Sequence, residues 1–126
     1  MNKQGVITIE QGARVLPHEL RTAQALARYC RQVTLLSSKG AQTKVPDASE
    51  GILFEIKSPE SHTTHALERN IRRALKQADN IIIDSQRIKR ISDRSLVACL
   101  INTAKRIPGI KRLWFVDKKR ALHKLI

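Results

Sequence analysis

The sequence predicts an α/β fold of the mixed α+β kind, a mixed β-sheet flanked by helices in the order α-β-β-β-α-β-α-β. Three observations carry that prediction. Two helical stripes, Leu67, Ile71, Ala74, Leu75, Ala78 and Leu96, Val97, Leu100, Ile101, Ala104, alternate with short apolar runs. One of those runs, Asn80-Ile81-Ile82-Ile83-Asp84, is uninterrupted in the manner of a strand covered on both faces. Before them, Lys44 to Lys57 reads as a hairpin around Ala48-Ser49-Glu50-Gly51, so antiparallel pairing joins a helix-covered sheet.

Taken in order, residues 1–15 give weak signals and are expected to be a loosely attached segment, in which Val6-Ile7-Thr8-Ile9 can form a short strand. Leu16, Leu20, Ala23, Ala27 and Cys30 make one apolar stripe, with Pro17 suited to a first helical turn. Val33-Thr34-Leu35-Leu36 is short, apolar and partly β-branched, hence a strand. Ser37 to Thr43 is a polar loop containing Gly40. Thr64 is placed to cap the second long helix and Ser92 the third, which Pro108-Gly109 ends. Ile110 to Val116 is a strong strand, and Ala121 to Ile126 a short edge strand. The 126 residues suit a single domain, with no repeat and no low-complexity linker.

Charge points to the kind of partner. Lys and Arg number 24 against 11 Asp and Glu, a net of +13. Residues 1–63 carry 8 basic and 6 acidic residues, and residues 64–126 carry 16 and 5. The excess falls on Arg69, Arg72, Arg73 and Lys76, then Arg87, Lys89, Arg90 and Arg94, then Lys105 to Arg120. A single such cluster is ordinarily a solvated helix face. Three of one sign repel each other unless an anion relieves them, and a phosphate backbone is the natural anion. An acidic protein would also satisfy the pattern. No apolar run approaches the ~20 residues that span a bilayer. Nor does a basic-then-apolar leader open the chain. Cys30 and Cys99 have neither metal spacing nor a disulfide framework.

The stretch with most chemistry is Pro46-Asp47 followed by Glu55-Ile56-Lys57. Alternation puts Glu55 and Lys57 on one strand face and Phe54 and Ile56 on the other. An amphipathic strand with Glu and Lys at the sheet surface is the plain structural account. A two-residue loop, Glu50-Gly51, would set Asp47 opposite Phe54. A three-residue loop ending in Gly51 would set it opposite Leu53, on the face of Glu55 and Lys57, with glycine supplying the left-handed third position. Two carboxylates and a lysine suit metal-assisted phosphodiester hydrolysis. The carboxylates hold a hard divalent cation such as Mg²⁺, and the lysine steadies developing negative charge.

Pro-Asp on the second strand and Glu-x-Lys on the third, after a helix and before another, resembles the PD-(D/E)xK nuclease superfamily, whose fold is restriction-endonuclease-like. The resemblance implies Glu19, on the first helix, as a further metal ligand beside Asp47 and Glu55, and Gln77, on the helix after Lys57, as a substrate-positioning residue. A second resemblance lies in Glu55-Ile-Lys-Ser-Pro-Glu60 and Arg73-Ala-Leu-Lys-Gln-Ala-Asp-Asn-Ile-Ile-Ile-Asp84. These runs are similar to the C-terminal nuclease domains of contact-dependent growth inhibition toxins. That likeness implies a toxin delivered to the cytoplasm of a target bacterium, cleaving nucleic acid, with tRNA favoured over DNA. It also implies a cognate immunity protein and allows a host translation factor as helper. A chain that begins with Met and lacks the delivery polypeptide would be an excised domain, a stand-alone homologue or a mobile-element protein.

Two alternatives stand beside this expectation. One is the metal-independent barnase/EndoU/colicin/RelE-like ribonuclease fold, in which the RNA 2′-OH attacks its own phosphate. There Lys57 and the segment His62-Thr63-Thr64-His65, at a helix N-terminus that favours phosphate, would carry catalysis. The other is a basic nucleic-acid-binding module without turnover. In all three, Arg69, Arg72, Arg73, Lys76 and Arg87 track phosphates. His18 and His123 look ordinary, and Asp84 either serves catalysis or pairs with Arg87 or Lys89.

Overall fold

The computed structural model describes residues 5–37, 42–45 and 51–126. Seven strands form one sheet in strict chain order: β1 (Val6–Ile9), β2 (Gln32–Leu35), β3 (Gln42–Val45), β4 (Ile52–Lys57), β5 (Asn80–Asp84), β6 (Arg112–Val116) and β7 (Leu122–Lys124). β1 runs parallel to β2, β2 to β4 form an antiparallel meander, β4 to β6 are parallel, and β7 returns antiparallel. Three helices complete the fold: α1 (Pro17–Leu26), α2 (Thr64–Leu75) and α3 (Asp93–Ala104). Within the segment expected to be loosely attached, Val6–Ile9 is paired in full to Gln32–Leu35.

The pleat divides the sheet into two unequal faces. Val33, Leu35, Phe54, Ile56, Ile82, Trp114 and Val116 pack with Ala23 and Leu26 of α1. Ile81, Ile83, Leu113 and Phe115 pack on the opposite side with Leu67 and Ile71 of α2 and Leu96 and Leu100 of α3. The three isoleucines of β5 are therefore buried from both sides, as their unbroken run requires. On β1 and β2 that second face carries Val6, Thr8, Gln32 and Thr34, which are exposed or half-buried, so the helices leave this half of it bare.

Local chemistry sets the helix ends. Pro17 opens α1, and the Glu19 carboxylate in its first turn accepts a 2.9 Å hydrogen bond from the Leu16 amide. Thr63, not Thr64, caps α2: its hydroxyl accepts from the Ala66 amide at 3.2 Å, and Thr64 is the first helical residue. Extended backbone is what a cap needs, and Thr63 has it (φ −62°, ψ 148°). Ser92 caps α3 as expected, accepting from Ser95 at 3.1 Å.

The hairpin register differs from both expected forms. Leu53 pairs with Lys44, Phe54 with Thr43 and Ile52 with Val45. Gly51 does adopt the left-handed backbone expected of it (φ +103°), immediately before β4. In this register Thr43 and Phe54, both fully buried, share one face. Asp47 itself lies outside the described residues.

Candidate functional site

Strand β4 places Leu53, Glu55 and Lys57 on the face over which α2 lies, because Glu55 and Lys57 pair in parallel register with Ile81 and Ile83. The expected sharing of one face therefore holds, but Glu55 is not a surface residue: it is 1% exposed. Lys57 Nζ stands 3.7 Å from Glu55 Oε2, an ion pair too long for a direct hydrogen bond, with Lys57 still 28% exposed at the strand end. Among the described residues, the buried Glu55 Oε1 has no hydrogen-bond partner. Burial pushes the Glu55 carboxyl above its ordinary range, the Lys57 ammonium pulls it back, and the charge of Glu19 adds to the rise.

An orphaned buried carboxylate oxygen costs about 1–3 kcal/mol, and a cation is the group that would repay it. Glu55 and Glu19 offer hard oxygen donors, which suit Mg²⁺. Among the described residues no group of three or more His, Cys, Asp or Glu completes a metal site. Glu55 thus offers a divalent cation one hard oxygen donor among the described residues, and Asp47 lies outside them.

The other expected residues fall into separate places. His62, Thr64 and His65 are exposed at the N-terminal end of α2. Gln77 lies beyond the C-cap Lys76 and so is not on the helix; it lines a cleft at the far end of α2. Twelve residues of helix, about 18 Å, separate these two groups. Arg69, Arg72, Arg73 and Lys76 share one groove on the outer surface of α2 with His65. Arg87 instead forms an ion pair with Glu60 and donates to the Ser58 carbonyl at 3.3 Å, just past Lys57.

Asp84 pairs with Arg120, not with Arg87 or Lys89. Both terminal guanidinium nitrogens reach it, at 2.8 and 2.7 Å, and the Thr22 hydroxyl donates to it at 2.6 Å. Its role is to tie α1 and the β6–β7 turn to the end of β5. Sequence reasoning missed Arg120, and it also missed that Lys111 and Arg112 line the cleft holding Leu53 and Gln77. The only signal in the sequence was their charge beside a strand start.

With this geometry in place, the likenesses to known proteins are specific. Residues 44–122 match the family model described as contact-dependent growth inhibition CdiA C-terminal domain. The chain is similar in fold to a solved structure, "CdiA-CT/CdiI toxin and immunity complex from Burkholderia pseudomallei", at a TM-score of 0.65 and 16% sequence identity, over 95% of this chain and 98% of that one. No curated protein matches the chain significantly in sequence.

Proposed function

Because the chain belongs to the contact-dependent growth inhibition CdiA C-terminal domain family, toxin domains of interbacterial competition that are delivered into target cells, we propose that it is a nuclease that hydrolyses phosphodiester bonds of nucleic acid, with tRNA its preferred substrate. The observation that carries the reading is Glu55: a buried carboxylate with one oxygen unpaired among the described residues and a lysine 3.7 Å from the other, beside a strongly basic helix.

Each residue then has a task. Glu55, with Glu19 and Asp47, would hold a divalent cation, which when bound polarises the scissile phosphate and lowers the pKa of a water. Lys57 stands at the open end of β4, where its ammonium meets the phosphate and steadies the negative charge that develops on it. Arg69, Arg72, Arg73 and Lys76 hold the backbone on either side, and Arg87, already committed to Glu60, contributes less. Gln77 positions substrate from the far end of α2. A basic face of this kind also fits an acidic partner, which supports a cognate immunity protein covering it; a host translation factor remains an expectation of the resemblance.

The test is cleavage of total tRNA and of plasmid DNA by purified protein, with Mg²⁺ and with excess EDTA, beside Glu55→Gln and Lys57→Met. Metal-dependent tRNA cleavage lost in both variants is the expected result. Chelator-resistant cleavage leaving a 2′,3′-cyclic phosphate would move the chemistry to His62, Thr64 and His65. Salt-sensitive binding without turnover in any condition would reduce the protein to a binding module.

A further inference from the structure

From the cleft at the C-terminal end of α2 the reading above uses Gln77 and leaves the other lining residues without a role. It encloses about 530 Å³ and is lined by Ile52, Leu53, Leu75, Asn80, Lys111 and Arg112, with Lys76 at its rim. Lys76 also lines the groove of about 410 Å³ on the outside of α2, so the two depressions meet there. In that groove His65, Arg69, Arg72, Arg73 and Lys76 recur at helical spacing, offering one cation or a pair in each ~5.4 Å turn. Glu68 neutralises Arg72 alone, at 2.9 Å.

The cleft has two chemistries. Ile52, Leu53 and Leu75 make an aliphatic floor. Arg112 is steadied above it by the Asn80 side-chain oxygen at 3.3 Å, while the Asn80 amide donates to the Leu53 carbonyl at 3.0 Å. Lys111 is exposed and pairs at 3.7 Å with Asp79, which also lines the cleft. A mostly polar cleft with three aliphatic side chains and the cations Lys76, Lys111 and Arg112 around them matches a nucleotide: a base against the aliphatic patch, phosphates at the edge. Leu53 shares its face of β4 with Glu55 two residues on, so the cleft lies along the strand that carries the buried carboxylate. A base paired in a duplex would first have to be unstacked to enter, at a cost of a few kcal/mol, so an unpaired base is favoured.

We propose that this cleft is a nucleotide subsite, taking an unpaired base of a single-stranded nucleic acid whose backbone passes Lys76 onto α2. The proposal rests on the nuclease reading for its class of ligand, yet it is testable by binding alone.

The experiment uses the full chain carrying Glu55→Gln, with fluorescence anisotropy of a labelled single-stranded RNA and a set of the same RNA with an abasic residue moved through each position. One abasic position is expected to weaken binding about tenfold, the others little. Lys76→Glu and Lys111→Glu are each expected to weaken binding about tenfold and to reduce the salt slope by about one. Arg28→Glu, exposed beyond α1 on the other side of the sheet, is expected to change neither. A flat abasic scan, a blunt duplex bound as tightly as the single strand, an acidic peptide bound more tightly than RNA, or a Lys111→Glu variant indistinguishable from Arg28→Glu would each overturn the proposal. Wild-type protein that cleaves no nucleic acid while the abasic pattern holds would sink the nuclease reading and leave the subsite standing.

Discussion

Arg120 meets Asp84 fork to fork, its two terminal nitrogens 2.8 and 2.7 Å from the two carboxylate oxygens, from a backbone held at φ +69°. Asp84 is fully buried, and its charge raises the affinity of the Arg120 guanidinium for its proton. Removing one partner strands a buried charge. Arg120→Met should therefore cost about 3 kcal/mol or more in urea unfolding, Arg120→Lys should lose much of that through the lost fork, and Asp84→Asn with Arg120→Met should recover part of it. A single Arg120→Met as stable as the wild type would show that Thr22 and Gln86 suffice for Asp84.

Glu55 should be a liability to stability. Its folded pKa lies above the unfolded value, so the folded state holds the proton more tightly and stability falls as pH rises from about 4.5 through the folded pKa. Glu55→Gln should consequently melt at a higher temperature than wild type at neutral pH, in metal-free buffer, even as it abolishes the proposed cleavage. An unchanged or lower melting temperature would contradict the burial argument.

The same carboxyl reports its neighbours. Lys57 lowers its pKa and Glu19 raises it, so Lys57→Met should move the Glu55 titration up and Glu19→Gln should move it down. Carbon-13 NMR of the side-chain carboxyl in chelator reads both shifts directly. Movement of both variants in one direction would refute the geometry.

At the other edge, His123 Nε2 lies 2.8 Å from Asp117 Oδ2 and the Ala121 amide donates to Oδ1. Burial alone would raise the Asp117 carboxyl, but these hydrogen bonds outweigh it and hold the pKa below its ordinary value. The resulting stability is present above about pH 3.8 and is lost as pH falls through the folded pKa. His123→Ala should weaken that protection and start acid unfolding at a higher pH, followed by far-ultraviolet circular dichroism.

Helix α2 carries the basic groove, and its cap can be separated from its chemistry. Thr63→Ala should cost about 1 kcal/mol in urea unfolding, whereas Thr64→Ala, whose side chain caps nothing, should cost a few tenths. Equal losses at the two positions would place the cap wrongly.

Much of the fold was legible because it is encoded locally. Helical stripes, the Ile81–Ile83 run, the Ser92 cap and the shared face of Glu55 and Lys57 all follow from spacing along a single element. The hairpin register was not legible, since Ala48-Ser49-Glu50-Gly51 admits several loop lengths and the burial of Thr43 with Phe54 decides among them. Asp84 found a partner 36 residues away instead of the nearby Arg87 or Lys89, a choice made by the turn after β6. The burial of Glu55 and the gathering of Lys111, Arg112 and Leu53 in one cleft likewise depend on which elements become neighbours, which no local pattern records.

Each strand of the sheet bonds to the one before it and the one after it in the chain. No segment must be inserted between strands already joined, and the described cysteines are both free, so no oxidation step is required. Contacts of this kind can close in sequence, each loop short when its turn comes. For a toxin domain that is delivered into another cell, assembly can then proceed like a fastener drawn from either end, with no threading step to delay it.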